Sequence, residues 1–427
     1  MKIGIVASTL DYETLKELFT NDDVSYAEIA LRWHEIQKRS FDKFGGKAGG
    51  ICYMPDTWET LNNEPEDKSL RRSAMTKASG HHSTQAHAHV SLVIENCSKI
   101  MAMLLNNEHE YVTSEKSARY TKMSTEGQMK KYYEKWTEIY KVILDRKHPE
   151  LDEKRRKKLA MENARYLISV FNPSTIMMYT TSYRQLNYMY YWAKDLVDNM
   201  DTFLNEKGKT PVEEEMLRLT RPRDFYEQLK PELESFCSEL EKTGLIDADL
   251  RDDKSRSFSL INYVPVNEQF GASYETSYLA SFAALAQLHR HRSLYYCFSF
   301  TNSENYYIPP MIREDVELRE QWLKDIKKVD NGSYPQGRMV LVAERGTKEM
   351  AVLKAKERMC SAAQKECCDL TTELMKKYYD ATKENPLPFY DDIKRIAASG
   401  FKSRCTWGYK CSQQCFNPDG IKNSRDY

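Results

Sequence analysis

A basic cluster at the end of an apolar stretch could bind an anion. Residues 278–288 are mostly apolar and are predicted to form a helix, and Arg290, His291 and Arg292 follow one residue later. Gln287 and Arg290 are three residues apart, so they would share one face of that helix. Two guanidinium groups and an imidazole at a helix end can grip an anion together. The simpler alternative is a basic helix terminus that the helix dipole favours.

Histidines are concentrated in the first half, where His81, His82, His87 and His89 lie within nine residues. This density invites interpretation as a metal site. No Cys, Asp or Glu lies among them, however, and the His-Glu-x-x-His pattern of helical zinc sites is missing. We therefore predict no metal site in this segment.

The basic cluster resembles part of a known family signature. The pattern Gln-x-x-Arg-His-Arg at residues 287–292 is similar to the start of the signature of flavin-dependent thymidylate synthases. The second part of that signature does not follow it. It stands instead in the first half of the chain, where Glu115, Ser117, Arg119 and Tyr120 are in register. In a turn, a Ser hydroxyl and an Arg fork two residues apart can hold a phosphate.

Other segments of the first half resemble the same family. His81 and Ser83 belong to a Gly-His-x-Ser pattern similar to the segment that contacts FAD. Residues 162–165 resemble the family's Glu-x-Ala-Arg. Arg184 matches an arginine that touches the flavin.

The second half supplies two more matches. Arg338 occupies the Ala-Arg position of the family. Arg358 begins the pattern Arg-x-x-x-x-Ala-Gln-x-Glu, which is complete at every fixed position. In the family this arginine faces the pyrimidine ring.

The resemblance implies an α+β fold built twice, as tandem copies that form a pseudo-dimer. Copy one is expected at residues 1–225, a charged connector at 226–255 and copy two at 256–427. Each copy would have a small, mainly antiparallel sheet and long helices. Family members are homotetramers with active sites between subunits. A fused pair could therefore keep one complete set of site residues, and a homodimer of chains would mimic the family tetramer.

The resemblance also implies a reaction. It predicts transfer of a one-carbon unit from methylenetetrahydrofolate to C5 of dUMP, with hydride from reduced FAD and with NADPH as the reductant of the flavin. Arg358 would stabilise negative charge on the uracil carbonyls. The residues expected to bind dUMP are Glu115, Ser117, Arg119, Gln287 and Arg338. The residues expected to bind FAD are His81, Ser83, Arg184, Arg290, His291 and Arg292.

Two alternatives remain open at the level of sequence. One is a related hydroxymethylase, acting on dUMP or dCMP. The other is a non-catalytic relative that binds a nucleotide or flavin, or serves as a scaffold. In the expected chemistry none of the ten cysteines has to be catalytic. Cys405, Cys411 and Cys415 fall short of a zinc pattern, and reduced, packed thiols are preferred over a metal site completed by Asp419.

Composition bounds these hypotheses. The 427 residues include 63 Lys and Arg and 63 Asp and Glu, so the net charge is zero. This balance gives no electrostatic case for nucleic acid or a membrane surface as partner. No apolar run approaches the roughly 18 residues of a membrane span, and the N-terminus is predicted to be a strand and not a signal peptide. We expect a cytoplasmic protein with reduced thiols.

Several elements must position the candidate residues. Residues 90–105 are predicted to form an apolar helix that leads to the Glu115 loop, and residues 125–158 form a charged helical stretch. The glycine-rich residues 45–50 are interpreted as a flexible connection. Residues 201–255 are interpreted as a helical, solvent-facing connector between the copies.

Overall fold

A computed structural model describes residues 1–10, 32–53, 57–119, 121–173, 175–251, 258–302, 304–360 and 362–408, with the single residues Thr14, Leu18 and Ile29. Four positions that the sequence analysis used lie outside these ranges, namely Tyr120, Cys411, Cys415 and Asp419. The described chain combines helices with two four-stranded antiparallel sheets. This confirms the predicted mixture of helix and mainly antiparallel sheet.

The first sheet contains β1 (Lys2–Ser8), β2 (His89–Cys97), β3 (Tyr111–Glu115) and β4 (Thr175–Ser182), in the order β1-β2-β4-β3. The N-terminal strand was predicted from the sequence. Buried and exposed residues alternate along β2 and β4, because successive side chains of a strand point to opposite faces.

The second sheet contains β5 (Gln269–Phe270), β6 (Ser273–Ser281), β7 (Tyr295–Ser299) and β8 (Met339–Thr347). Its strand order is β5-β6-β8-β7. Both sheets therefore have the same arrangement, with the second and fourth strands in the centre and the third strand at an edge.

Helices surround the sheets. Those of the first half are α1 (Trp33–Tyr53), α2 (Trp58–Asn62), α3 (Glu66–Ala78), α4 (Lys99–Leu105), α5 (Gly127–Lys147), α6 (Glu153–Ala164) and α7 (Tyr183–Asp198). Between the sheets in sequence lie α8 (Met200–Leu204), α9 (Pro211–Thr220) and α10 (Arg223–Glu241). The second half has α11 (Phe282–Leu288), α12 (Pro310–Arg313), α13 (Val316–Asp330), α14 (Lys348–Arg358), α15 (Lys365–Thr382) and α16 (Asp391–Ala398).

Two segments predicted as single apolar helices each divide into a strand and a helix. Residues 90–105 contain most of β2 and then α4, and residues 278–288 contain the end of β6 and then α11. A serine marks each division. Ser98 accepts the backbone N–H of Met101, and Ser281 accepts that of Ala284. Such an N-cap starts a new helix, and hydrophobicity alone does not distinguish a buried strand from a buried helix.

The prediction of a flexible connection at residues 45–50 was wrong, because this stretch lies inside α1. Its glycines allow α1 to approach its neighbours closely. A Cβ built at Gly46 would lie 1.9 Å from the carbonyl oxygen of Ser69 on α3. The glycines therefore serve helix packing and not chain flexibility.

The segment between the sheets is helical, as predicted, but it does not face solvent throughout. One face of α10 is buried in the main core, including Phe225, Tyr226, Leu229, Leu233 and Phe236. That core is continuous through both halves. A second core joins α5 to α13, where the Trp136 and Trp322 rings meet edge to face with centroids 4.9 Å apart.

No helix in the described parts of the chain is long and apolar enough to cross a bilayer. Within the same ranges no three His, Cys, Asp or Glu side chains form a group that could hold a metal ion. Five of the described cysteines are buried, namely Cys97, Cys237, Cys297, Cys367 and Cys368.

The close approach of α1 and α3 gives a first prediction. Gly46→Ala should lower the free energy of unfolding by about 1–3 kcal/mol, because the new methyl group collides with the backbone of α3. Gly49→Ala is the matched control in the same helix, since its Cβ would lie at an ordinary 3.5 Å from Thr84. That variant should be neutral or stabilising by up to about 1 kcal/mol. Chemical denaturation measures both, and equal stabilities would contradict the packing role.

Candidate active site

Arg119 extends from the loop after β3 into the boundary between the two halves. Its side chain is buried. Its Nε donates to Glu162 Oε2 at 2.5 Å, and its Nη2 donates to the backbone carbonyl of Ala362 at 2.7 Å. Ser117 Oγ accepts the Arg119 backbone N–H at 3.3 Å, which fixes the turn. A predicted substrate-binding residue of the first half thus contacts the backbone of the second.

Arg358, the last residue of α14, is buried at the same boundary. Its guanidinium donates to the backbone carbonyls of Gln287 and Glu357. No carboxylate of the described chain forms an ion pair with it, and its Nε has no hydrogen-bond partner there. Burial lowers the pKa of this guanidinium, and the charge of Arg119 acts in the same direction. A buried cation without a carboxylate is unfavourable, so this site is suited to an anionic or strongly polarised ligand.

A hydrogen-bonded network joins the halves near these arginines. Arg165 donates to Gln364 Oε1 and, at 3.3 Å, to the carbonyl of Ala283. Gln364 in turn donates to the hydroxyl of Tyr166, which donates to Glu366 at 3.0 Å. Arg165 was not among the predicted site residues. The Glu-x-Ala-Arg pattern at residues 162–165 was the signal that could have included it.

Gln287 and Glu366 connect this network to the helices of the second half. Gln287 Oε1 accepts the backbone N–H of Gln364 at 3.3 Å, while its carbonyl holds Arg358. The backbone N–H and hydroxyl of Ser281 donate to Glu366 at 2.8 and 2.7 Å. Burial raises the pKa of Glu366, and these donors oppose the rise. The start of α11 and the start of α15 are thereby held together.

The carboxylate of Glu115, a predicted substrate ligand, lies inside the protein. It forms an ion pair with Lys99 and accepts hydrogen bonds from Asn106 Nδ2 at 3.1 Å and Thr175 Oγ1 at 3.3 Å. Arg290 Nη1 of the second half is 4.0 Å away. Burial would raise the pKa of Glu115, but Lys99 and Arg290 hold it below its ordinary value. These contacts suit Glu115 to positioning Arg290.

Predicted flavin ligands of both halves meet at residues 109–111. Arg184 Nη2 donates to Glu110 Oε1 at 3.0 Å, and Arg292 Nη1 donates to the carbonyl of Tyr111 at 2.9 Å. The Nε of Arg184 has no partner within the described ranges. The Glu110 side chain is 56% exposed, so it can yield its place to an anionic group.

His81 and Ser83 are exposed on the surface beside α7. Between them, the buried His82 has its Nδ1 2.8 Å from the hydroxyl of Tyr188. Arg184 lies on the same helix, with its guanidinium 5.9 Å from the centre of the Tyr188 ring. The structure therefore places the Gly-His-x-Ser segment and Arg184 in one region.

The structure places Arg338 apart from Arg119 and Gln287. Its guanidinium pairs with Asp330 at 3.3 Å and lies 4.9 Å from the ring centre of Tyr334. It lines an open groove of about 600 Å³. Sequence spacing aligned Arg338 with a family motif, but it could not show that the side chain contacts Asp330 and Tyr334 and not the residues around Arg119.

His289 was missed by the sequence analysis, although it belongs to the turn His289–His291 that carries the predicted basic cluster. Its side chain is 1% exposed, and neither ring nitrogen has a hydrogen-bond partner in the described structure. Burial lowers its pKa to about 3, although the charge of Glu115 opposes this. His289 is thus a neutral imidazole beside Glu115, Lys99, Arg290 and Arg358.

Comparison with known proteins bears on this arrangement. Residues 39–191 match the family model described as thymidylate synthase complementing protein. The resemblance to flavin-dependent thymidylate synthases is thereby confirmed for this segment. Within this synthase-like segment lie His81, Ser83, Glu115, Ser117, Arg119, Arg165 and Arg184. Gln287, Arg290 and Arg358 lie outside it.

Among solved structures, the chain is similar to a UMP/dUMP methylase, PolB from Streptomyces cacaoi, bound with 5-Br dUMP. The identity is 14%, the match covers 45% of this chain and 76% of the methylase, and the TM-score is 0.26. Among curated proteins, none matches this sequence.

The buried His289 gives a prediction for stability against pH. Its folded pKa of about 3 lies below the ordinary 6.5, so the unfolded chain takes up the proton first. The contribution of the neutral His289 to the free energy of unfolding is complete above pH 6.5 and is lost as the pH falls towards 3. Between pH 6 and 4 the stability of the native protein should fall more steeply than that of His289→Leu, by about 1.4 kcal/mol per pH unit. Denaturant titrations measure both slopes, and parallel curves would exclude a neutral buried imidazole.

Proposed function

We propose that the two halves are tandem copies of one fold that form a pseudo-dimer. Three features support this. The strand order of the two sheets is the same, each second strand leads through a serine cap into a short helix, and each fourth strand leads through Ser182 or Thr347 into a longer helix. Positions can therefore be compared by counting from these caps and from the strand register.

Polar residues near the site in the first half correspond to phenylalanines in the second. Lys99 and Phe282 each begin the helix after the serine cap. Glu115 pairs with Met177, and Phe298 pairs with Val342. Met177 and Val342 are each five residues before the cap of the next helix (182 − 177 and 347 − 342). By the same register, Ser117 corresponds to Phe300.

These phenylalanines pack with Phe225 at a second contact region between the halves, which we call the aromatic boundary. The Phe282 and Phe298 rings lie 5.2 Å apart, and those of Phe298 and Phe300 lie 5.5 Å apart. Phe225, from α10, adds a ring 5.0 Å from Phe300. Apolar rings offer no charge to a phosphate or pyrimidine. The guanidinium of Arg338 lies 5.4 Å from the centre of the Phe300 ring, but it is already paired with Asp330. Only the boundary with Arg119 and Arg358 is therefore proposed to bind ligand, which gives one site per chain.

We infer that this site belongs to a thymidylate synthase-like enzyme that transfers a one-carbon unit from methylenetetrahydrofolate to C5 of dUMP. The observation that carries this inference is the buried Arg358, which has no carboxylate partner in the described chain and shares its boundary with Arg119. The synthase-like segment that contains Arg119 supports it further. Two guanidinium groups, one from each half, suit a dianionic phosphate joined to a polarised ring.

The residues have distinct roles in this proposal. Arg119 and Ser117 would bind the phosphate, with Arg165 beside them. Arg358 would stabilise negative charge on the uracil carbonyl oxygens, and burial would strengthen that effect. Gln287 would hold Arg358 through its carbonyl while presenting its amide to the nucleotide.

The residues near Glu110 fit an FAD. Arg184 keeps an unpartnered Nε, and Arg292 approaches from the other half. The other proposed flavin ligands are His81, Ser83, Arg290 and His291. When bound, reduced FAD supplies hydride to the pyrimidine, and NADPH is the proposed reductant. The protein contributes binding, orientation and exclusion of water, and no thiolate nucleophile is required.

Two alternatives are kept because they share this site. A hydroxymethylase would use the same nucleotide grip, and product mass distinguishes a methyl from a hydroxymethyl group. A non-catalytic nucleotide- or flavin-binding protein would bind dUMP or FAD without turnover. A homodimer of chains, which would match the family tetramer, remains a proposal for measurement by light scattering.

Substitution of the two arginines tests the proposed site. Arg358→Ala should lower kcat/KM with dUMP by about 10²–10³-fold, because charge developing on the pyrimidine loses a preorganised cation. Arg119→Ala should mainly weaken dUMP binding, by about tenfold or more. Arg218→Ala is the control, since this exposed side chain on α9 pairs with Glu215. Turnover with dUMP, methylenetetrahydrofolate and NADPH is followed by product mass. Full activity of Arg358→Ala would contradict the proposal.

The aromatic boundary predicts the flavin stoichiometry. Titration of the apoprotein with FAD, at a chain concentration fixed by amino-acid analysis, should reach saturation at one FAD per chain. Two equivalent FAD per chain would show that the boundary with Phe225 and Phe300 also binds flavin.

A further inference from the structure

A buried ion pair connects α14 to the second sheet. Lys354 Nζ lies 2.8 and 2.5 Å from the two carboxylate oxygens of Glu344 on β8. Tyr274 and Tyr278 of β6 donate to the same carboxylate at 2.5 and 2.6 Å. The side chains of Lys354 and Glu344 are 1% and 0% exposed. Four polar groups thus hold one point of α14 against two strands.

The first half manages without this ion pair. Lys354 is seven residues after its helix cap and Met189 is seven after the equivalent cap (354 − 347 and 189 − 182). Glu344 and Tyr179 are each three residues before those caps (347 − 344 and 182 − 179). Met189 and Tyr179 are both buried in the main core. The fold can therefore fill these positions without charge.

The strand positions differ in the same way. Tyr278 pairs with Val342 and Ile94 pairs with Met177, so they occupy equivalent places. A buried ion pair loses hydration on both groups, and apolar residues of similar volume are often equally stable in its place. Stability of this fold alone therefore does not explain the charged version in the second half.

The position of Arg358 gives a reason for the location of this ion pair. It lies four residues after Lys354, hence one turn along the same face of α14. At the corresponding positions, α7 has Met189 and Ala193 (193 − 189 and 358 − 354). The half with the ion pair is thus the half with the site arginine. Fixing the helix one turn before Arg358 limits where its guanidinium can move, and displacements of about 1 Å can reduce catalysis about a hundredfold.

We propose that Glu344, Lys354 and Tyr278 are positioning residues that hold the end of α14 so that Arg358 meets the nucleotide. This inference rests on the proposed function, because it deepens the role of Arg358 in that site. The three residues act through α14 and do not touch the substrate.

The test removes the charges while keeping the volume. In the double variant Lys354→Met with Glu344→Gln, the amide oxygen accepts from one tyrosine and the amide nitrogen can donate to the hydroxyl oxygen of the other. The melting temperature should stay within about 4 °C of the native value, since replacing both partners is nearly neutral. The kcat with dUMP should fall about tenfold or more, with KM changed less than threefold, because positioning of Arg358 matters most in the transition state. Lys354→Met alone should also lower the melting temperature, since it leaves a buried carboxylate without its cation.

The matched control removes another ion pair, Lys135 with Asp325, which joins α5 to α13 at 2.6 Å. Lys135→Met with Asp325→Asn should leave kcat within twofold of native. If the Lys354 and Glu344 variant keeps native kcat, or if its kcat falls only in proportion to lost folded protein, the positioning role is overturned.

Hydrogen exchange separates failure of this inference from failure of the proposed function. A native protein that neither binds nor converts dUMP would refute the proposed function. The positioning role is then judged on residues 348–360 by exchange and mass spectrometry. Faster exchange there in the Lys354 and Glu344 variant, at native melting temperature and without change in the control, supports the role. Unchanged protection of these residues refutes it.

Discussion

The arrangement of the site depends on how the buried guanidinium of Arg358 is solvated by the protein. A cation inside a protein is stable when hydrogen bonds or counter-charges replace its lost hydration. Here the carbonyl of Gln287 supplies part of that replacement, and no carboxylate of the described chain completes it. The backbone at the end of α11 and the end of α14 must therefore stay in register. A ligand with negative charge would complete the solvation that the protein leaves unfinished.

The boundary between the halves explains how this register is kept. Arg165 and Tyr166 from the first half bond to Gln364 and Glu366 from the second, so the polar atoms of each half find partners in the other. The two buried glutamates of the region differ in charge preference for a physical reason. Glu115 has Lys99 as a direct ion-pair partner, which lowers its pKa, whereas neutral donors around Glu366 do not overcome burial.

The two halves share a strand order but have different interiors. Around the proposed site the first half places Lys99, Glu115 and Ser117, while the equivalent positions of the second half hold phenylalanines that pack with Phe225. In the helix after the fourth strand of each sheet, the second half has the charged residues. Helix α14 carries Lys354 and Arg358 where α7 carries Met189 and Ala193. Such exchange is compatible with one fold because packing tolerates apolar and paired polar side chains of similar volume.

The sequence by itself determined the mixed fold class and the resemblance of its first half to a synthase family. It also predicted Arg119, Gln287 and Arg358 as site residues, because family signatures depend on residue types and spacing over short stretches of the chain. It did not determine where strands end and helices begin at Ser98 and Ser281, since a continuous apolar run has no period that separates the two. Nor could it reveal that the glycines near Gly46 pack a helix, that Arg165 joins the network or that Arg338 turns to Asp330. Those outcomes depend on contacts between residues far apart in the chain, and only the tertiary structure decided which buried polar atoms found hydrogen-bond partners within the described residues.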